Sequence, residues 1–280
     1  MRSPSRMITR PIPSSGELLP ALGLGTWRTF DVGGDQRARE NLRGVLTELA
    51  RLGGKVVDSS PMYGSAEEVV GDLVSAAGIR DRLFIATKVW TTGRGKGIAE
   101  MEESMRRLRV EKVDLMQVHN VVDVATHLRT LAEWTSAGRA RYVGITHYTA
   151  SAHEKVAKLL QSHASIDFVQ INYSAAEREA EKRVLPVARD RGVAVIVNRP
   201  FAEGGLLKRL ASRPLPDFAA AIGCATWSQL LLKFVLSHPA VTCTIPATSD
   251  VEHLAENMRA GEGDLPDKEL RKRIIAAVIG

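Results

Sequence analysis

The chain has 280 residues, 44% of them hydrophobic and 25% charged, a balance that supports a large buried core and excludes a disordered or fibrous chain. Its net charge is +6, but the densest basic group, Arg106, Arg107, Arg109 and Lys112, is interleaved with Glu102, Glu103 and Glu111 and reads as a solvated helix face, so no nucleic-acid partner is expected. No apolar run reaches the roughly 18 residues of a membrane span, and the basic start MRSPSRMITRP precedes no apolar stretch, so no membrane partner and no secretory signal are expected and the location reads as cytoplasmic.

Residues 1–6 read as a loose tail, and 8–19, centred on Ser14, Ser15 and Gly16, as a hairpin that closes the floor of the fold. Eight short apolar or β-branched runs then recur at 21–25, 55–59, 83–89, 113–119, 141–146, 168–172, 193–198 and 241–245. Helical stretches separate most of them. Segment 41–52 carries Leu42, Val45, Leu46, Leu49 and Leu52 at helical spacing, and 65–74 opens with the capping-box pattern Ser65 to Glu68. Segments 101–108, 128–137, 152–161, 178–191 and 227–237 repeat the theme, 202–216 reads as a long loop or short helix, and 267–278 as a last helix. Near-continuous apolar strands are buried on both faces, and helical crossovers make neighbours parallel. Eight such units without a linker predict α/β architecture in one domain over 1–280, a closed (β/α)8 TIM barrel with a short N-terminal hairpin, since such barrels run about 250 residues. Cys224 and Cys243 lack metal-site spacing and read as buried thiols; no metal is expected.

In a barrel the C-terminal strand ends face the active site. Three consecutive runs end in an ionisable residue, Asp58, Lys88 and His119, and Tyr63 lies five positions after Asp58. Singly, each suits a turn, a cap or a half-exposed strand end; together they converge on one mouth. A lysine there needs a counter-charge, which Asp58 supplies, whereas Asp114 opens its strand and belongs to the floor. A carbonyl accepting hydride gains negative charge and needs a proton. Tyrosine, with a reference pKa near about 10, is a weak donor unless a neighbouring cation lowers it. Lys88 is placed to do so, Asp58 to hold Lys88, and His119 to orient the carbonyl by a hydrogen bond.

These residues sit in segments that resemble the aldo-keto reductases: Gly23-Leu-Gly-Thr-Trp27, Asp58-Ser-Ser-Pro-Met-Tyr-Gly64, Ala86-Thr-Lys88, Asp114-Leu-Met-Gln-Val-His119, Val143-Gly-Ile145, Gln170-Ile-Asn172, Ile245-Pro246 and Glu256-Asn257. The resemblance spans nearly the whole chain. It implies reduction of aldehydes or ketones with a nicotinamide cofactor, NADPH with NADH as the other candidate. It also implies a catalytic tetrad of Asp58, Tyr63, Lys88 and His119, with Tyr63 as proton donor. The implied cofactor contacts are Gly25, Thr26, Trp27 and Asp58, then Thr146, His147 and Gln170, then Asn198, Arg199, Pro200 and Phe201, and finally Ala247, Thr248, His253, Glu256 and Asn257. Trp27, Phe30, Met62, Trp90 and Asn120 are the implied substrate wall, although Trp90 equally suits packing at a strand end.

The chain departs from the family's pattern at several of these places. Thr146-His147 stands where Ser-Asn is usual, and His147 either binds the carboxamide or is a substituted loop residue. Asn198-Arg199 removes an aromatic that stacks on nicotinamide, leaving Arg199 as a candidate partner for the pyrophosphate. Ala247 and His253 replace the Lys and Arg that grip a 2′-phosphate, so only a weak preference for NADPH is expected, with Arg199, Lys208 or Arg259 as candidate substitutes. The expected partner is a small aldehyde or ketone, on a monomer or weak oligomer. Two rival readings stay open: a non-enzymatic, nicotinamide-cofactor-binding regulatory subunit, and a Schiff-base aldolase or isomerase acting through Lys88.

Overall fold

The computed structural model describes residues 7–280; the expected loose tail over 1–6 lies outside them. A hairpin of β1 (Thr9–Pro11) and β2 (Leu18–Pro20) pairs antiparallel, Thr9 opposite Pro20. Eight parallel strands succeed it in chain order: β3 (Leu24–Gly25), β4 (Val56–Asp58), β5 (Phe84–Val89), β6 (Val113–Val118), β7 (Ala140–Thr146), β8 (Phe168–Asn172), β9 (Ala194–Asn198) and β10 (Cys243–Thr244). The ring closes between first and last, where Gly23 N donates to Thr244 O (2.9 Å) and Thr244 N to Ala21 O (2.9 Å). Gly23 is required at this seam, because a Cβ there would sit 2.7 Å from Val56 O.

The helices are α1 (Gln36–Arg51), α2 (Ala66–Ala77), α3 (Arg94–Arg107), α4 (Val124–Ser136), α5 (His153–Ser162), α6 (Val184–Asp190), α7 (Gly205–Leu210), α8 (Trp227–Leu236), α9 (Val251–Arg259) and α10 (Lys268–Ile279). Two cores result. One lies between strands and helices; the other fills the barrel, where Val56, Phe84, Leu115, Phe168 and Ile196 meet Ile12 and Leu19 of the hairpin. The hairpin therefore plugs the floor as expected and leaves the opposite mouth for chemistry. Asp114 lies at the floor too, held by Arg80 (3.1 Å), Arg141 (2.8 Å) and Ile85 N (2.8 Å).

The structure departs from the sequence reading in three places. Ser65 is the N-cap of α2, but no capping box forms: its hydroxyl donates to Asp31 Oδ1 (2.9 Å) and accepts from Gly33 N (2.8 Å). A carboxylate is the stronger acceptor, and the bond ties the α2 entry to the loop after β3. The helix expected over 178–191 splits into a 3₁₀ turn (Glu179–Lys182) and α6, with Arg183 off helical geometry between them. Pro186 accounts for the break, since its ring excludes the carbonyl four residues earlier from a continuous helix. Helix α9 is absent from the expected elements although Val251, Leu254, Ala255 and Met258 stand at helical spacing; the segment is short, and it buries Leu254, Asn257 and Met258. The Arg106–Lys112 cluster is a solvated face: Arg106 and Arg107 pair with Glu103, and Arg109 with Asp72. Both cysteines are buried and free. Among the described residues no helix is long and apolar enough to cross a membrane.

Candidate active site

Asp58 is the last residue of β4 and Lys88 the fifth of β5, one strand over, and both side chains point into the barrel. Lys88 Nζ lies 2.6 Å from Asp58 Oδ2 and donates also to Ser59 O (2.6 Å). The ammonium is fully buried, a position tenable for a charge only with a partner. The other carboxylate oxygen accepts from Gln170 Nε2 (2.8 Å) and Gln117 Nε2 (3.0 Å). Asp58 is thus held from β5, β6 and β8 together. Gln117 is absent from the expected site; its only sequence signal is an amide inside a mainly apolar run. Burial pulls the Lys88 ammonium down, and Asp58 with Tyr63 outweighs it, so Lys88 stands above the ordinary lysine value and remains charged.

Tyr63 sits on the turn between β4 and α2, its N–H on Ser60 O (3.0 Å). The next residue, Gly64, has φ +60°, and a Cβ there would collide with the Asp31 carboxylate that ties Ser65. The turn aims the ring at the pair beneath it: Lys88 Nζ is 5.0 Å from the ring centroid. His119 lies edge-on to the ring, with centroids 6.1 Å apart. The expected lowering of the phenol below its ordinary value does not occur. Burial is the largest influence and raises it; Lys88 opposes that, Asp58 adds to it, and the phenol stays above its ordinary value. The lysine acts in the expected direction, on a group that burial has already shifted the other way.

His119 comes directly after β6. Burial, helped by the Lys88 and His147 charges, pushes its imidazole down to about 2, so the ring is neutral. Ser60 Oγ accepts from Met62 N (3.4 Å) and lies 3.1 Å from His119 Nδ1. The serine hydroxyl is able to donate to Nδ1; in that tautomer the ring proton sits on Nε2 and makes that atom a donor.

The mouth opens into a cavity of about 970 Å³. Tyr63, Asp58 and His119 line it, while Lys88 lies behind them. Its wall includes Trp27, Met62, Trp90 and Asn120, four of the five residues named for it from the sequence, with Met62 and Trp90 each more than two-fifths exposed. Phe30 is corrected: it is fully buried in the outer core, because the loop after β3 folds back on α1 and α2. Gly25, Thr26, Thr146 and Gln170 line the cavity from β3, β7 and β8, and Asn198, Arg199, Pro200 and Phe201 from β9 onward. Beyond the strand ring it is lined by Ala247, Thr248, His253, Glu256 and Asn257. His147 does not line it. Its Nδ1 accepts from Tyr148 N (3.0 Å) and Thr149 N (3.3 Å), and its ring stacks on Tyr148, so it caps its own turn.

Arg28, Tyr148 and Glu203 from loops, Leu207 from α7 and Trp227 from the first position of α8 also line the cavity and were not foreseen; the loop residues carry no periodic signal. Arg199, a residue with φ +53°, donates to Tyr148 O (2.8 Å) and pairs with Glu203 (3.2 Å). Asn198 Nδ2 reaches His147 O (3.3 Å), so the loops after β7 and β9 are tied together. Glu256 accepts from the hydroxyls of Thr226 (2.9 Å) and Ser228, which fixes it in the crevice between α8 and α9.

The comparisons with known proteins agree with this geometry. A sequence profile described as the Aldo/keto reductase family matches residues 21–274. A methylglyoxal reductase of Escherichia coli is 28% identical, over 92% of this chain and 92% of its own. An L-glyceraldehyde 3-phosphate reductase of the same organism is 28% identical over 88% of this chain and 85% of its own. A Klebsiella pneumoniae aldo/keto reductase, solved in complex with NADP and acetate, superposes with a TM-score of 0.80 at 25% identity, covering 94% of this chain and 93% of its own. With nearly the whole barrel matched, the chain belongs to the aldo/keto reductase family of oxidoreductases.

Proposed function

We propose that the protein reduces aldehydes or ketones to alcohols with a nicotinamide cofactor, NADPH or NADH, and that Tyr63 is the general acid. The observation that carries this reading is the buried Lys88–Asp58 pair directly beneath a protonated phenol, with a neutral imidazole beside it. The residues present fit the cofactor's carboxamide end. Thr146, Gln170 and Asn198 bring hydroxyl and amide groups to the ends of β7, β8 and β9, and Asn198 Oδ1 is buried without a partner. When bound, the cofactor supplies the hydride.

The chain's own residues do the rest. His119 Nε2–H hydrogen-bonds the carbonyl oxygen and fixes its direction. As negative charge gathers there, Tyr63 releases its phenolic proton to that oxygen. Lys88 stabilises the phenolate left behind, in a setting of low dielectric where a single charge counts for more than in water. Asp58, held by Gln117 and Gln170, keeps Lys88 charged and in place. Trp27, Met62 and Trp90 offer an apolar wall that suits carbonyls with an apolar or aromatic part. The two Escherichia coli relatives are named as reductases of methylglyoxal and of L-glyceraldehyde 3-phosphate, both small aldehydes, and these names support a small aldehyde for this chain without favouring an apolar or aromatic one.

Loss of reduced-nicotinamide absorbance against a panel of aldehydes and ketones tests the reading. Cofactor binding without turnover of any of them would favour the regulatory-subunit reading instead. Borohydride trapping of a carbonyl compound on Lys88 would favour the Schiff-base reading, which the charged, doubly bonded ammonium opposes. Because His119 is held neutral far below its reference value, kcat/KM should show no inflection from this residue between about pH 5 and 8. An acid limb in that window that disappears in His119→Asn would contradict the assignment.

A further inference from the structure

We infer that the protein binds NADH at least as tightly as NADPH, because the adenosine end of the cavity presents no fixed cation to a 2′-phosphate. This rests on the reading of the cavity as a nicotinamide-cofactor site.

Topology locates the adenosine end. Hydride transfer needs the nicotinamide beside Tyr63 and His119, inside the strand ring. The cavity leaves that ring between α8 and α9, where Thr226, Ser228, Thr248, His253 and Glu256 line it. An extended dinucleotide reaching out of the barrel has its adenosine there.

A phosphomonoester brings about −1.5 to −2 charges at neutral pH, and a site selective for it needs charge-assisted hydrogen bonds from lysine or arginine. No lysine or arginine lines this end of the cavity. Ala247 has no polar side chain, and His253 is an imidazole rather than a permanent cation. The start of α9 does not substitute. Its N-cap Asp250 already places a carboxylate on His253 N (2.9 Å), so the positive end of the helix is met by the chain's own anion. That backbone hydrogen bond also holds Asp250 below its ordinary value, and hence ionised. Glu252 in the first turn and Glu256 in the crevice add negative charge.

The candidate substitutes are elsewhere. Arg199 is committed to Tyr148 O and Glu203, beside β7 and β9. Arg259 closes the far end of α9, about 12 Å along the axis from its start, and neither it nor Lys208 lines the cavity. Arg28, the other arginine on the lining, stacks 4.0 Å over Trp27 at the substrate wall. A 2′-phosphate would therefore meet hydroxyls and carboxylates, while a plain ribose would meet groups able to hydrogen-bond its hydroxyls.

Fluorescence titration tests this directly, because Trp27 and Trp227 line the cavity and report on its filling. The intact protein is titrated with NADH and with NADPH. The expected result is a Kd for NADH equal to or below that for NADPH. The paired substitution Ala247→Lys with His253→Arg should then shift the ratio toward NADPH by about tenfold or more, the effect of at least one added charge-assisted hydrogen bond. A wild-type Kd for NADPH below that for NADH would overturn the inference alone, as would an unchanged ratio in the paired variant. Binding of neither cofactor would instead overturn the site reading beneath it.

Discussion

Replacing Tyr63 by phenylalanine should lower kcat by about 10²-fold or more, the usual weight of a positioned general acid. The substitution removes one oxygen and leaves the ring, which packs 5.0 Å from Lys88 Nζ and edge-on to His119, so fold and cavity are retained. What is lost is the proton that the proposed mechanism delivers to the carbonyl. His119 is neutral and can donate a hydrogen bond, but it has no second proton to give in the working pH range. Cofactor affinity should stay within about threefold, since the phenol acts on substrate and not on the groups at β7 to β9. Steady-state kinetics combined with cofactor titration separates the two effects, and near-normal kcat in Tyr63→Phe would remove the assignment.

Lys88→Met should cost about 3 kcal/mol of stability, the low end of what breaking a buried ion pair costs. The low end applies because Gln117 and Gln170 continue to hydrogen-bond the stranded Asp58 carboxylate. Adding Asp58→Asn to that variant should recover part of the loss, because the unpaired charge is then gone. Denaturant unfolding of the wild type, both single variants and the double variant gives the coupling; a double variant no more stable than Lys88→Met would show that the pair is not what holds the site. Activity should fall in the same variants. Lys88 is the influence that opposes burial at Tyr63, so without it the phenol rises further. A general acid works while protonated and fails as pH climbs through its pKa, so the residual activity should extend to higher pH although kcat is lower.

The amino-acid sequence by itself determined the strand count and the closing hairpin, and it singled out Asp58, Tyr63, Lys88 and His119 as the proposed tetrad. It could do so because each rests on a local signal: a β-branched run bounded by turns, an ionisable residue at the end of such a run, or, for Tyr63, a short motif that follows one. Family membership came from the same short segments in the same order.

What lay beyond the sequence were matters of contact and burial. Gln117 and Gln170 hold Asp58 across 59 and 112 residues, and periodicity carries no information about a partner that distant. Ser65 leaves its capping box for Asp31, a carboxylate brought alongside by the loop after β3. Phe30 turns into the outer core and His147 onto its own turn, because the path of a loop, unlike the face of a strand, is set by what it packs against. The direction of the Tyr63 shift is of the same kind. The sequence offers a cation nearby and predicts a lowered phenol, but desolvation depends on how much of the barrel mouth surrounds the ring, and in the folded protein it outweighs the lysine. Only the assembled mouth decides that balance, since burial is a property of all the elements around a group and not of its neighbours in the chain.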